Sequence, residues 1–212
     1  MRIASLLVLG LVLVATPAVA QVVYTNGAPD GNTDAWTINF GFVVSDTFNV
    51  ANSGTVLTAA SFSMWTFPGD ILESAELSIT SGEDGGTSFF DASVNFTQET
   101  CTPNLHGFNV CLEATSFNGP MLNAGTYWLN LQNSITTTGD PVYWDENSGP
   151  SLASETSVGS IPSEAFTVFG GPSTTSTTTS TSTTTSVPEP SSLMLFGSGI
   201  LGLSGWIRRR LF

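Results

Sequence analysis

Apolar and polar residues alternate along the middle of the chain with the period of an extended strand. Trp36, Ile38, Phe40 and Phe42 fall on one face, as do Ala60, Phe62 and Met64. The same holds for Ala75, Leu77 and Ile79, then for Phe90, Ala92, Val94 and Phe96, and for Phe108, Val110, Leu112 and Ala114. Tyr127, Leu129 and Leu131 follow, then Val142 and Trp144, and a last strand over Phe166 to Phe169. Turn signals separate these runs at Asn26-Gly27, Pro68-Gly69-Asp70, Gly82 to Gly86, Asn118-Gly119-Pro120 and Asn147 to Pro150. No window carries a helical stripe. Roughly eight to ten strands, each with one apolar face, predict two packed antiparallel sheets. The expected fold is all-β, an antiparallel jelly-roll-like β-sandwich over residues 21–171.

The pattern changes at both ends. Arg2, the apolar stretch Ile3 to Ala15 and the Ala18-x-Ala20 site before Gln21 read as a cleavable signal peptide over residues 1–20. A retained signal anchor is the alternative. Residues 172–187 contain an unbroken Ser/Thr run from Ser173 to Ser186, with no apolar residue from which to build a core. A disordered, solvated spacer is expected there, with O-glycosylation open. Beyond it lie Pro188-Glu189-Pro190, the apolar segment 193–207, and Arg208, Arg209 and Arg210. As a helix this segment spans only about 22 Å, short of the ~30 Å hydrocarbon core. It would form a short C-terminal transmembrane helix, with its basic end on the cytoplasmic side. A plain membrane anchor is the simpler reading of the same residues.

Charge narrows the function. The chain has no lysine, and all four of its arginines lie in the two end segments; of the 17 acidic residues, only Glu189 lies beyond the spacer. The domain therefore holds no Lys or Arg with which to neutralise phosphate, so a nucleic-acid partner is excluded. Its stability must rest on apolar burial and hydrogen bonds to neutral donors. Cys101 and Cys111, in an exported chain, predict a disulfide closing the loop Thr102 to Val110, worth roughly 2–3 kcal/mol. A metal site at these cysteines, with His106 assisting, is the alternative.

The tail carries a resemblance. Pro188-Glu189-Pro190, the glycine-bearing apolar stretch and the arginine cluster, in that order, resemble the PEP-CTERM sorting signal over residues 188–212. Leu211 and Phe212, after the arginines, depart from the usual basic ending. The resemblance implies export across the inner membrane, transient anchoring there, processing by an exosortase-type membrane enzyme after signal peptidase has acted, and a final place at the cell surface or in an extracellular matrix. It also implies an association with exopolysaccharide. A second resemblance, in Asp46 to Val50, Ala124 to Leu129 and Val142 to Asp145, is to exported bacterial β-sandwich domains, and it supports the fold.

Candidate chemistry in the domain is sparse. His106 is the single histidine and lies in no nucleophile motif, so no enzyme activity is expected. Asp145-Glu146 is the best carboxylate cluster for a glycosidase pair, yet adjacent strand residues point to opposite faces. Trp65, Trp128, Tyr143 and Trp144, near Asn130, Asp145 and Asn147, could stack on sugar rings while the polar groups bond hydroxyls. Core packing is the competing role for each, and Tyr143 and Trp144 should alternate faces. Asp30-Gly31-Asn32-Thr33-Asp34 spaces oxygens like the start of a calcium loop. Ala35 and Gly41 stand where an EF-hand needs Gly and Glu, so an Asx turn competes with a structural calcium. No other cofactor is expected. Surface-structural or adhesive protein, carbohydrate-binding module and glycan hydrolase are the three readings, in that order.

Overall fold

The structure is a computed structural model that describes residues 20–173. The expected signal peptide up to Val19, the Ser/Thr spacer from residue 174 on, and the sorting tail with its segment 193–207 lie outside the described residues. Ala20 is exposed, and the first strand begins at Gln21. The last strand runs to Pro172, one residue past the boundary expected from sequence.

Fourteen strands form two antiparallel sheets: β1 Gln21–Thr25, β2 Ala35–Thr37, β3 Val44–Val50, β4 Thr55–Thr66, β5 Leu72–Gly82, β6 Gly85–Asn95, β7 Thr97–Pro103, β8 Asn109–Ser116, β9 Met121–Leu122, β10 Gly125–Thr136, β11 Tyr143–Asp145, β12 Ala153–Glu155, β13 Gly159–Ile161 and β14 Phe166–Pro172. The number exceeds the sequence expectation because segments of two or three residues pair as short strands of their own. One sheet has six strands, in the order β13-β12-β3-β10-β5-β6. The eight-stranded sheet is organised around β4. Along one edge of β4 lie β14 and β11 end to end, continued by β1 and β2; along the other lie β9 and β8, with β7 beyond. The turns fall at the sequence signals, with Gly69 and Gly27 at positive φ.

The core lies between the sheets. Ala60, Phe62 and Met64 from β4 meet Ala75, Leu77 and Ile79 from β5 and Leu129 and Leu131 from β10, all essentially inaccessible. Trp144 and Phe166 stand edge-on to one another, with ring centroids 5.5 Å apart. On β6, Val94 is buried and Phe90 half-buried, and Phe96, just past its end, is half-buried against the same cluster.

Two expected strands are corrected. The segment 36–42 does not stay extended: β2 stops at Thr37, and the chain turns through Phe40 (φ 58°) and Gly41 (φ 88°), leaving Phe40 65% exposed. On β8 the inward face is the polar one. Glu113 pairs with Phe62, Cys111 with Met64 and Thr115 with Ala60, so all three face the core, and Leu112 faces out. The apolar side of β8 is covered from outside instead, where the Gly31 backbone lies against Val110. Glu113 keeps one hydrogen bond, from Gln98 Nε2 at 3.1 Å, and its other oxygen has no partner. Burial, opposed by the Gln98 bond and reinforced by Glu99, pushes its carboxyl up to about 7.

Cys101 and Cys111 are directly paired across β7 and β8 and form the expected disulfide.

Where β14 crosses β4, Phe169 pairs with Ala59 and Gly170 with Leu57, so Thr58 is a bulge residue. The bulge puts Leu57 and Ala60 both inward, and it brings the Val56 carbonyl onto Gly170 so closely that a Cβ there would collide with backbone. Gly170→Ala is expected to cost on the order of 2–4 kcal/mol, read as a lowered denaturant midpoint with unchanged slope. A variant as stable as the parent would mean that β4 and β14 pair without this close approach.

Candidate functional site

Chain exit and loop placement define a near and a far end of the described domain. Gln21 pairs with Gly170, and Ser173 N–H donates to the Gly54 carbonyl at 2.8 Å, so both ends of the described chain emerge beside the start of β4. The other end of β4, twelve residues along, lies roughly 35 Å away. Aromatic side chains gather at that far end, on the outer face of the eight-stranded sheet.

The strand register builds this cluster. Tyr143 on β11 pairs with Trp65 on β4, which pairs across its other edge with Val110 on β8. Phe67 and Phe108 extend from the adjoining strand ends, with ring centroids 4.8 Å apart. Phe108 also meets Trp65 at 5.7 Å and Tyr143 at 5.5 Å, and the His106 ring stacks on Trp65 at 5.5 Å and 17°. His106 Nε2 lies 2.8 Å from the Asn32 carbonyl, so its N–H donates there. Beside the cluster is a groove of about 240 Å³ lined by Asp30, Asn32, Ser63, Thr102, Asn104 and Leu112, among others.

Asp145 pins this outer layer. It is fully buried, and its Oδ1 accepts the Trp65 indole N–H at 2.5 Å. The Gly31 N–H reaches both of its oxygens, at 3.0 and 3.2 Å. Burial pushes the Asp145 carboxyl up to about 6, against the lowering effect of the Trp65 and Gly31 bonds. Glu146 points the other way and accepts from Trp36 Nε1 at 3.3 Å, so the two adjacent acids do not converge on one substrate position.

The four aromatics expected to contact sugar do not form one site. Trp144 is wholly enclosed in the core and bonds the Ala165 carbonyl, while Trp65 is only 5% exposed. Tyr143 is half-buried on the outer face, so the expected alternation with Trp144 holds. Trp128 is half-buried on the other sheet, beside Thr47 and Thr80, where it lines a separate groove of about 440 Å³. The polar groups expected to bond hydroxyls are committed internally. Asn130 donates to Ser78 and Thr80, and Asn147 donates to the Asn26 and Ala28 carbonyls. Sequence reading does not bring Phe67, His106 and Phe108 together: His106 stands as a possible metal ligand, Phe108 as an inward strand residue, and Phe67 is not singled out, although it adjoins the Pro68-Gly69 turn signal.

The loop Asp30 to Asp34 is an Asx turn, with Asp30 Oδ1 accepting from Asn32 N–H at 3.2 Å. Among the described residues, no three Asp, Glu, His or Cys side chains come together to hold a metal ion.

Comparison with known proteins bears on the tail. Residues 186–210 match the PEP-CTERM protein-sorting motif, a match that includes Pro188, Glu189, Pro190, Arg208, Arg209 and Arg210 and stops before Leu211 and Phe212. The chain thus combines an all-β sandwich with the signal of an exported protein handled by an exosortase-type membrane enzyme, with transient anchoring through its C-terminal end. No curated protein matches the chain.

The buried Asp145 carboxyl makes stability depend on pH. Unfolded, its carboxyl titrates near 3.8; folded, it holds its proton to about 6. Between these values the native state binds more protons, so the Asp145 contribution to stability falls as pH rises and is fully lost above about 6. Asp145→Asn should flatten the fall in unfolding free energy across that window by about one proton's slope, measured by urea unfolding at stepped pH. An unchanged slope would mean that Asp145 is ionised in the native protein throughout.

Proposed function

We propose that this protein is a non-enzymatic component of the cell surface or extracellular matrix. An exosortase-type system delivers it, and its sandwich serves a structural or adhesive role in exopolysaccharide or biofilm. The observation that carries the reading is the sorting motif at residues 186–210, C-terminal to the folded domain. The N-terminal segment acts as a signal peptide, cut between Ala20 and Gln21, which leaves β1 as the first element of the mature chain. The Ser/Thr spacer carries the domain away from the membrane. Because the described chain enters and leaves at one end of the sandwich, the far end, with Phe67, His106 and Phe108, is the surface offered to partners.

A second reading is supported by the aromatic cluster beside the Asp30–Asn104 groove: carbohydrate binding on the outer face of the eight-stranded sheet. Phe108 and Tyr143 would stack on the apolar face of a sugar ring, while the Asn32 side-chain amide nitrogen and the Thr102 hydroxyl would meet its hydroxyls. Phe108→Ala together with Tyr143→Ala should weaken binding to the producer's own exopolysaccharide by at least tenfold, about 1.4 kcal/mol, in a pull-down at fixed polymer concentration. Equal binding by this variant and the parent would remove the reading.

The sorting role is tested by replacing Pro188 and Pro190 with Ala. The parent should appear at the surface or in the medium, lacking the tail by intact mass. The variant should accumulate in the inner-membrane fraction with Phe212 retained. Identical masses and identical fractions for both would contradict exosortase-type processing of this tail.

A further inference from the structure

Two buried carboxylates in the seam between the sheets, Asp46 and Glu164, keep three oxygens without a hydrogen-bond partner. After β11, the segment 146–152 crosses from the eight-stranded sheet to the six-stranded one. It starts with Glu146 bridged to Glu164 and with Asn147 N–H donating to the Ser163 carbonyl at 2.7 Å. It ends with Leu152 held on Thr47, whose hydroxyl accepts the Leu152 N–H at 2.9 Å. Gly149 lets the crossover lie directly on Asn26, since a Cβ there would meet the Asn26 carbonyl oxygen at 2.5 Å.

Glu164 and Asp46 lie beneath this crossover, and both are 0% exposed. Asp46 comes from β3, on the inward register with Val44, Phe48 and Val50. Its Oδ2 accepts the Glu164 backbone N–H at 2.7 Å and Asn26 Nδ2 at 3.3 Å. Its Oδ1 has no partner, and neither carboxylate oxygen of Glu164 has one. Three of the four carboxylate oxygens in this pair are therefore buried and bare. Enclosing even one such charge is expensive, and two neighbouring like charges compound the cost. No Lys or Arg of the domain can pair with them, because residues 21–187 contain neither.

We propose that Asp46 and Glu164 jointly bind one divalent cation that prefers hard oxygen ligands, calcium by ligand class, in the seam beneath the 146–152 crossover. All the available donors are oxygens, the ligand class that calcium selects over softer metals. The carboxylates supply two ligand groups, and Ser151, whose hydroxyl lies 2.6 Å from Asn26 Nδ2, is the adjacent neutral oxygen. Water and backbone carbonyls complete the about six to eight ligands that calcium takes. This differs from the Asp30–Asp34 loop, whose oxygens are engaged in its own turn and in ties to Leu105 and His106. The cation also ties together both sheets and the crossover between them.

The test uses the full-length protein, stripped with EDTA and titrated with calcium chloride, and separately with terbium, read by luminescence excited through tryptophan. Trp36, bonded to Glu146, is the nearby sensitiser. The expected result is one terbium per chain, displaced by calcium, and a melting temperature that rises saturably over roughly 10⁻⁴–10⁻³ M calcium, the range of extracellular modules. Glu164→Gln and Asp46→Asn should each weaken binding ~10-fold or more, while Asp30→Asn combined with Asp34→Asn leaves it unchanged. A melting temperature indifferent to calcium and EDTA from pH 6 to 8, with no terbium signal, would overturn the proposal, as would binding lost only in the Asp30/Asp34 variant. If the Glu164 and Asp46 variants fail to fold, the parent titration still decides, because the absence of any binding refutes the site. Glu164→Gln raising stability at pH 8 without calcium dependence would identify a proton-sharing pair instead, and would also refute it.

Discussion

Every carboxylate inside this sandwich must be held without an ammonium or guanidinium group, since the domain has none. Neutral donors take their place at every buried acid among the described residues except Glu164, whose carboxylate meets no donor at all. Asp145 receives the Trp65 indole and the Gly31 amide; Asp46 receives Asn26 and a backbone amide; Glu113 receives Gln98. Asp70 and Glu155, at strand ends, are different. There burial is outweighed by donors such as Thr137 and Thr138 for Asp70, and Ser157 and Thr156 for Glu155, and both carboxyls are held below their usual range. In the three more enclosed groups burial outweighs the donors, and their carboxyls rise.

The same constraint shapes the surface offered to partners. The outer face of the eight-stranded sheet is organised because Asp145 pulls the Trp65 indole and the Gly31 amide toward one point. Trp65 then becomes a platform for His106 and Phe108, and the Asn32 carbonyl fixes the His106 ring. A buried acid thus positions the far-end aromatic cluster through a second layer of contacts. The sorting motif acts at the other end of the chain, independently of this packing, and sets where the domain works.

The strands that build the centre of the core were legible from alternation alone. Phe62 and Met64, Leu77 and Ile79, and Leu129 and Leu131 are buried on the faces that the pattern assigns. The pattern misled where a face is covered from outside. The run Phe108, Val110, Leu112 and Ala114 reads as inward, yet the Gly31 backbone covers Val110 from outside, and Cys111, Glu113 and Thr115 turn to the core. It misled again at Phe40 and Phe42, where a positive-φ turn interrupts an apolar run. Tryptophan position was only half legible: alternation separates Tyr143 from Trp144, but which of the two faces out depends on the pairing of β11 with β4. The buried acids were the least legible, because Asp46 shares the register of Val44 and Phe48 while its chemistry suggests a surface. The tail was the most legible, because sorting signals are read as linear strings and need no packing to be recognised.

Side-chain carboxyl NMR of the labelled protein across a pH series tests most directly whether neutral groups hold the interior carboxyls. Glu113 is expected to titrate near 7 and Asp145 near 6. Midpoints for both at about 4, the ordinary carboxylate range, would mean that these groups are solvated or cation-paired in the native protein, and would contradict their being held by neutral groups.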